Sequence, residues 1–230
     1  MTPKDPANHP PGQRRAGRRP GRPAADPAEP DQRTRLIEAA LAGFVRQGIA
    51  ATTLRGIAAE AGVTPALAHY YFGNKQQLVQ TVIEERLLPV LETLHRRLAS
   101  AGEDVNALVT AFVEGFHGVV AQAPWLPALW AREILLEGGS LRPLLMDRIA
   151  PLAPRLLADR FAAAQAAGAL NAQLDPRLLV VSLVGLTIFP LAAAPIWRML
   201  FGAADIDTAA LTRHTLALLA PGLAPAAEAP

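Results

Sequence analysis

The spacing of residues 54–72 restricts the possible fold more than any other feature of the sequence. Thr52 and Thr53 offer an N-cap to an apolar-periodic segment, and Thr64 followed by Pro65 has the form of a second helix start. Gly62 lies between the two segments, where a tight turn needs a positive φ. The pattern predicts a helix, a three-residue turn and a short second helix, which is the arrangement of a helix-turn-helix.

A longer amphipathic helix is predicted in front of this pair, over residues 33–48. Asp31 is a suitable N-cap for it and Gly48 a suitable stop. Apolar residues recur on one face of this helix, at Leu36, Ile37, Ala40, Leu41 and Phe44. From the helix-turn-helix side, four residues are predicted to face the same small core: Ala58, Val63, Ala68 and Tyr71.

The segment from Thr52 to Leu78 closely resembles the DNA-binding domain of the TetR family of bacterial regulators. Residues 33–48 are similar to the family's first helix, so the resemblance covers residues 33–80, about a fifth of the chain. It implies an all-α fold, in which a three-helix DNA-binding domain is followed by a helical ligand-binding and dimerisation domain. The shared features are Thr52-Thr53, Ile57-Ala58, Ala61-Gly62-Val63-Thr64, Tyr71-Phe72, Lys75 and Leu78.

The resemblance also implies which residues meet DNA. The recognition helix enters the major groove by its N-terminal end. A clamp on the DNA backbone is expected at the end of this helix and the start of the next one, and the second helix holds the opposite phosphate flank. The residues in question are Thr53, Arg55, Thr64, Pro65, Ala66, Leu67, His69, Tyr70, Tyr71 and Lys75.

Alternatives stay open at two of these positions: Tyr71 would also suit core packing, and Lys75 would also suit a solvated helix start. The sequence departs from the common family pattern at Ala66, Ala68 and His69. Because the start of the recognition helix carries few hydrogen-bonding side chains, base readout should rely on apolar contact with thymine methyl groups, on His69 and on DNA shape.

Residues 1–30 contain eight of the 21 prolines and almost no large apolar side chain. We expect this segment to be disordered, because it cannot bury enough surface to offset its ordering entropy. It belongs to an N-terminal part with a net positive charge, since residues 1–72 hold ten Lys and Arg against six Asp and Glu. The arginines form either a solvated basic tail or a minor-groove arm resembling an AT-hook, with Arg18, Arg19 and Arg22 as its candidate contacts.

Beyond residue 78 the helical periodicity continues and no segment shows the alternation of a strand. We predict a long helix over residues 76–100, bent at Pro89, and a helix over residues 105–122 capped by Asp104. Further helices are predicted over residues 124–137, 140–167, 178–197 and 207–219. The predicted domains are a disordered basic tail (1–30), a DNA-binding domain (31–78), an effector-binding and dimerisation domain (79–220) and a second disordered tail (221–230).

The central helices concentrate much of the aromatic content of the chain. In the TetR family such helices enclose an effector pocket, so the resemblance suggests that these residues line one. Plain core packing is the alternative for the apolar residues, and surface ion pairing for the charged ones. The candidates are Phe112, Phe116, His117, Trp125, Leu129, Trp130, Arg132 and Glu133, with Glu114 as a further polar group.

Residues 178–197 are twenty residues without a charge, long enough to span a bilayer. Ser182, Gly185, Pro190 and Pro195 argue against a membrane span, and an amphipathic helix follows. The resemblance offers another account, because the last two helices of such regulators form a four-helix dimer interface. The candidate interface residues are Leu178, Val181, Ser182, Gly185, Phe189, Leu211, Thr215 and Leu218.

A ligand-responsive DNA-binding transcriptional regulator is the function that these patterns favour. It would bind a palindromic double-stranded DNA operator as a homodimer in the cytoplasm. A small molecule of unknown identity would release it from the operator, as expected of a repressor. We find no catalytic set, metal site or cofactor motif, and the chain has no cysteine. The alternatives are a membrane-anchored DNA-binding protein and a small-molecule enzyme on a helical scaffold.

Overall fold

The computed structural model describes residues 31–149, 151 and 153–225, and these residues form helices, turns and loops without a strand. The predicted all-α class is therefore confirmed. The predicted minor-groove residues Arg18, Arg19 and Arg22 lie outside the described residues, as do residues 226–230.

The first three helices follow the predicted capping pattern. The Asp31 side chain accepts a hydrogen bond from the Thr34 amide, and Thr53 and Thr64 cap the next two helices in the same way. Gly62 adopts a φ of +65° in the turn between the second and third helices, where a side chain would be strained. The helices are α1 (Gln32–Gln47), α2 (Leu54–Glu60) and α3 (Pro65–Phe72).

The core of this unit contains the predicted apolar face of α1 together with Ala58 and Ala68, all buried. Tyr71 is 38% exposed, so it does not occupy the core position that was left open for it beside DNA contact. Phe72 takes that place and is only 4% exposed. The difference is one position on a short helix, which turns a side chain by about 100° around the axis.

The long helix predicted after Asn74 contains a π-helical turn. Its parts are α4 (Lys75–Val82), the π-turn Ile83–Leu87 and α5 (Leu88–Ala99). Pro89 has no amide hydrogen, so it cannot satisfy the Glu85 carbonyl one turn earlier. The Arg86 guanidinium donates to that carbonyl at 3.1 Å instead. A bend was predicted at Pro89, and the structure shows a π-turn directly before that residue.

In the C-terminal part, α6 is contacted by α5, α9, α10 and α12. Ten residues of α6 are buried, so it forms the centre of the C-terminal part. The helices are α6 (Val105–Gln122), α7 (Leu126–Trp130) with the π-turn Ala131–Leu135, α8 (Arg142–Leu144) with the π-turn Leu145–Ile149, α9 (Ala153–Ala166), α10 (Pro176–Ala192), α11 (Ala194–Phe201) and α12 (Thr208–Leu223).

The end of α12 lies beyond the predicted boundary at residue 220. Leu223 is 4% exposed, and its carbonyl accepts a hydrogen bond from the Asn171 amide at 3.1 Å. The Asn171 side chain also donates to the Gly222 carbonyl at 3.0 Å. These bonds to the loop after α9 hold the last turn, which the sequence pattern alone assigned to a tail.

The uncharged segment of residues 178–197 is divided between α10 and α11, which are bent by 69° relative to each other. The Trp197 indole donates to the Pro190 carbonyl at 2.7 Å across the bend. In the part of the chain that the structure describes, no single helix is both long and apolar enough to cross a bilayer. Only α10 and α11 taken together, as this bent pair, reach the length and apolar composition that a span requires.

His117 is a buried polar contact between α6 and α12. Its Nδ1 lies 2.6 Å from Thr212 Oγ1, and that hydroxyl itself donates to the Thr208 carbonyl at 2.9 Å. The ring nitrogen is therefore the donor in the His117–Thr212 bond. Burial lowers the pKa of His117 from its ordinary value of 6.5, because a charged imidazolium is poorly solvated there.

We predict that His117 makes stability depend on pH. The unfolded chain takes up a proton near pH 6.5, whereas the folded imidazole does so only at lower pH. The stabilisation is thus fully present above pH 6.5 and is lost as the pH falls below it, at no more than about 1.4 kcal/mol per pH unit. Urea unfolding between pH 8 and pH 5 should show a smaller loss for His117→Gln.

Thr212→Val is the matched control for this change. It removes the hydroxyl but leaves the imidazole buried, so it should keep the wild-type pH dependence while lowering stability at every pH. Equal pH dependence in wild type and His117→Gln would contradict the assignment.

Candidate functional site

The start of α3 presents an exposed surface to solvent. Thr64, Pro65 and Ala66 are exposed, and Leu67 is half-buried behind them. Tyr70, one turn further along, is 81% exposed. A tyrosine so far from the core contributes little to folding. These predicted DNA-contacting residues therefore share one open face of the helix.

His69 lies on the same helix with one ring nitrogen already in use. Its Nδ1 is 2.7 Å from the Gly73 carbonyl, which can only accept, so Nδ1 carries the proton. In the tautomer with its proton on Nδ1, Nε2 is an acceptor. His69 can therefore receive a hydrogen bond, for example from the exocyclic amine of a base.

Lys75 connects the start of α4 to the loop between α1 and α2. Its Nζ donates to the Ala50 carbonyl at 2.9 Å, and the side chain is half-buried. An ammonium group has three donors, so two remain for a phosphate. The solvated helix start considered for Lys75 is thus not what the structure shows, since the side chain fixes a loop.

Arg55 is exposed on the first turn of α2, next to Thr53. Two other arginines of the unit form surface ion pairs: Arg46 pairs with Glu60 at 2.7 Å and Arg33 pairs with Glu85. The hydrogen bonds from these arginines lower the pKa of both carboxyl groups. Both carboxylates stay ionised and their charges are paired with these arginines, whereas Arg55 is an outward-facing positive charge of the helix-turn-helix.

An apolar cavity of about 50 Å³ lies in the C-terminal part, enclosed by α5, α6, α7, α9 and α10. Three of the predicted pocket residues, Phe112, Phe116 and Trp130, lie on its wall. The two phenylalanine rings are stacked with their centroids 6.1 Å apart. The rest of the wall was not anticipated from the sequence and consists of Leu91, Leu94, Ile149, Ala153, Pro154, Val180, Val184 and Ile188.

Trp130 carries the polar group of this wall. Its indole Nε1 is buried and has no hydrogen-bond partner among the described residues. Buried donors are nearly always paired in folded proteins, so an unpaired one in a cavity wall needs an explanation.

The other predicted pocket residues do not line the cavity. Trp125 and Leu129 pack into the junction with α1 and α4, His117 faces α12, and Arg132 is exposed. Glu114 forms a surface ion pair with Arg97 at 2.7 Å. Their positions depend on which helices are neighbours in space, which the aromatic clustering alone does not reveal.

Glu133 is the most marked of these corrections. It is only 3% exposed, and its carboxylate accepts hydrogen bonds from the Ile49 amide at 2.9 Å and the Ser140 amide at 3.0 Å. Both oxygens are therefore occupied by backbone donors. Glu133 connects α7 to the loop after α1 and is not available to a ligand in the cavity.

A second exposed apolar surface lies on α10, α11 and α12. Leu178, Val181, Phe189 and Leu218 are 57–70% exposed, and Ser182 and Gly185 are exposed on the same helices. The sequence pattern missed the part of this surface on α11, which consists of Ile196, Met199, Leu200 and Phe201.

Two predicted interface residues on α12 behave differently. Thr215 is 3% exposed, so its assignment to the interface is wrong, and Leu211 is half-buried. Thr215 lies three residues after Thr212, which contacts His117 of α6. Residues three apart share a face of a helix, so Thr215 also faces α6 within the protomer.

Comparison with known proteins adds independent findings. Residues 36–82 match the family model described as bacterial regulatory proteins, tetR family. The chain is 40% identical over 81 residues to the HTH-type transcriptional regulator BetI of Brucella anthropi, and 40% identical over 84 residues to BetI of Rhizobium meliloti. Each match covers 35% of this chain, and 36% and 41% of the respective relative.

Solved structures match over most of the chain. The fatty acid degradation regulator FadR from Bacillus halodurans gives a TM-score of 0.62 at 21% identity, covering 85% of this chain and 97% of that one. The ketosteroid transcriptional regulator KstR2 of Mycobacterium tuberculosis also gives 0.62, at 17% identity, covering 84% and 95%. These likenesses show a shared fold. Residues 36–82 therefore form a DNA-binding domain of the tetR family, and the chain as a whole shares the fold of these solved regulators.

Proposed function

We propose that this chain is a ligand-responsive transcriptional regulator that binds a palindromic operator as a homodimer. The observation that carries the proposal is the open face of α3, where Thr64, Pro65, Ala66 and the 81% exposed Tyr70 have no role in the core. The tail, the DNA-binding domain and the effector-binding and dimerisation domain would divide the chain near residues 30 and 78.

The DNA contacts follow from the chemistry of that face. The start of α3 enters the major groove, where Pro65 and Ala66 contact thymine methyl groups and His69 Nε2 accepts from a base. Tyr70, Tyr71 and Lys75 hold the DNA backbone on one side, and Thr53 and Arg55 hold it on the other. Since few of these side chains read base edges, DNA shape would contribute to the choice of operator.

The exposed apolar surface of α10 and α11 supports the dimer. Large apolar side chains such as Phe189 and Phe201, 70% and 74% exposed, would be buried against a second copy. Gly185 has nothing within 4 Å of where a Cβ would stand, which lets a partner helix approach. A two-fold dimer places two recognition helices about one DNA turn apart.

The cavity supports binding of a small apolar molecule. Its wall is almost entirely aliphatic and aromatic, with the Trp130 indole as the donor that a ligand's single acceptor would meet. At about 50 Å³ the cavity is smaller than typical ligand sites, so a ligand must widen it. A ligand that prefers the widened form and DNA that prefers the closed form would weaken each other's binding, as in a repressor.

Replacing Arg55 with alanine tests the DNA-contacting surface. Fluorescence anisotropy with the DNA upstream of the protein's own gene should show saturable binding that weakens with salt. In Arg55→Ala the affinity should fall about tenfold for every sequence, and the salt slope should decrease by about 1, as for the loss of one phosphate contact.

Arg96→Ala is the control, because Arg96 is an exposed arginine of α5 far along the chain from the helix-turn-helix. It should leave both quantities unchanged. Equal effects of the two substitutions, or wild-type binding that does not respond to salt, would contradict the assignment.

Placing a charge in the apolar surface tests the dimer. Phe189→Glu should convert a dimer of about 49 kDa, twice the 24.4 kDa chain, into monomers, since an unpaired carboxylate would be buried. Light scattering after size exclusion gives the mass. Met146→Glu, at a residue that is 64% exposed in the π-turn Leu145–Ile149, should remain dimeric. A monomeric wild type would refute the proposed assembly.

A further inference from the structure

We infer that Glu133 is the positioning residue through which the cavity acts on the DNA-contacting surface, an inference that rests on the proposed function. Glu133 holds the α1–α2 loop, residues 48–53, to the segment that follows α7. That loop leads directly to Thr53, and its backbone is bound by Lys75. Both residues belong to the proposed DNA-contacting set.

The carboxylate of Glu133 is a buried anion satisfied by backbone amides from two different segments. Oε1 accepts from Ile49 N–H at 2.9 Å, and Oε2 accepts from Ser140 N–H at 3.0 Å. A buried carboxylate that loses such a donor bears a large desolvation cost. The carboxylate therefore joins the two segments: it cannot leave the Ile49 amide and keep its bond to Ser140 unless the Ser140 segment moves with it, and the converse also holds.

The α1–α2 loop is shaped to receive this carboxylate. Gly48 has a φ of +91°, and a Cβ on it would lie 3.1 Å from Oε1 of Glu133. The Gly48 carbonyl accepts from Thr52 Oγ1 at 2.7 Å, and the Ala50 carbonyl accepts from Lys75 Nζ at 2.9 Å. The loop is thus held by Glu133 on one side and by the start of α4 on the other.

The cavity reaches Glu133 through three residues of backbone. Trp130 lies on the cavity wall as the last residue of α7, and the π-turn Ala131–Leu135 continues from it. Behind Glu133, its carbonyl accepts from the Leu141 amide at 3.2 Å, and Gly139 leaves no room there for a Cβ. A ligand that displaces Trp130 would therefore move a segment whose backbone is tied to Leu141 and packed against Gly139.

The consequence is a choice between two arrangements. With the cavity in its present form, Glu133 keeps the loop, Thr53 and Lys75 in one place relative to α3. With the cavity widened, the π-turn shifts and the Ile49 bond breaks, which frees the loop and the Lys75 contact. Coupling of this kind needs an element with two discrete states that both sites bias.

The experiment fills the cavity by substitution, because the natural ligand is unidentified. Ala153→Phe adds a ring to the cavity wall, and Val180→Phe does so from α10 as an independent variant. Hydrogen exchange of peptides covering residues 48–53 is measured on the full chain. Filling the cavity should raise exchange in this loop roughly tenfold, the factor expected for one lost hydrogen bond to a charged group.

The coupling is tested by repeating the measurement in chains that lack the carboxylate. Glu133→Ala should raise loop exchange by itself, and Ala153→Phe should then add little, since the connection is already absent. Glu133→Gln keeps one acceptor and should lie between wild type and Glu133→Ala. Glu137→Gln, at an exposed glutamate four residues on, should match wild type.

Two results would overturn the inference. The first is that cavity filling and Glu133→Ala raise hydrogen exchange in the loop additively. The second is that loop exchange does not respond to Ala153→Phe or Val180→Phe, although thermal melts show that both variants are folded. The readout requires no DNA, so a failure of operator binding would refute the proposed function and leave this result interpretable. Normal operator binding with an uncoupled loop would refute the role of Glu133 alone.

Discussion

The contact between α1 and α7 is the feature on which the arrangement of the DNA-binding unit depends. Leu41, Phe44 and Ile49 lie opposite Trp125 and Leu129 around a cavity of only about 10 Å³. Close packing of this kind makes the two parts move as bodies, because interiors resist small deformations. The carboxylate of Glu133 lies at the edge of this contact and makes its geometry specific, since hydrogen bonds have direction whereas apolar contacts do not.

The rest of the C-terminal part has two apolar surfaces with different roles. α6 is buried by helices on several sides, and the cavity is what remains between its aromatic rings and α5, α9 and α10. The second surface, on α10 and α11, stays exposed in the protomer. Both surfaces explain a chain that is 51% apolar with only 18% charged residues. The bend between α10 and α11 divides the uncharged stretch into two helices.

How far the structure follows from the sequence depends on the range of the interactions. The helices of the DNA-binding unit were predictable because Asp31, Thr53 and Thr64 cap their own helices within three residues. The exposed residues of α3 were predictable, but Tyr71 was left open between core and surface because a single helical position separates the two. The family resemblance rests on these same local signals.

The site in the C-terminal part was predicted less well because its geometry depends on distant partners. Glu133 bonds to Ile49, 84 residues earlier, and His117 to Thr212, 95 residues later, so neither pairing leaves a local trace. An aromatic cluster indicated where a cavity would lie but not which rings would form its wall. The exposure of α11 was missed because a charge-free segment has the same sequence pattern whether it is buried in the protomer or exposed on its surface.

The central claim, that two copies of α3 read one operator, is tested most directly by a hydroxyl-radical footprint of the full chain on the DNA upstream of its own gene. The account predicts two protected half-sites related by two-fold symmetry on one face of the DNA, with centres about 34–36 Å apart, or a multiple of that distance. A single unpaired protected site, or the absence of protection at protein concentrations where the chain is dimeric, would contradict it.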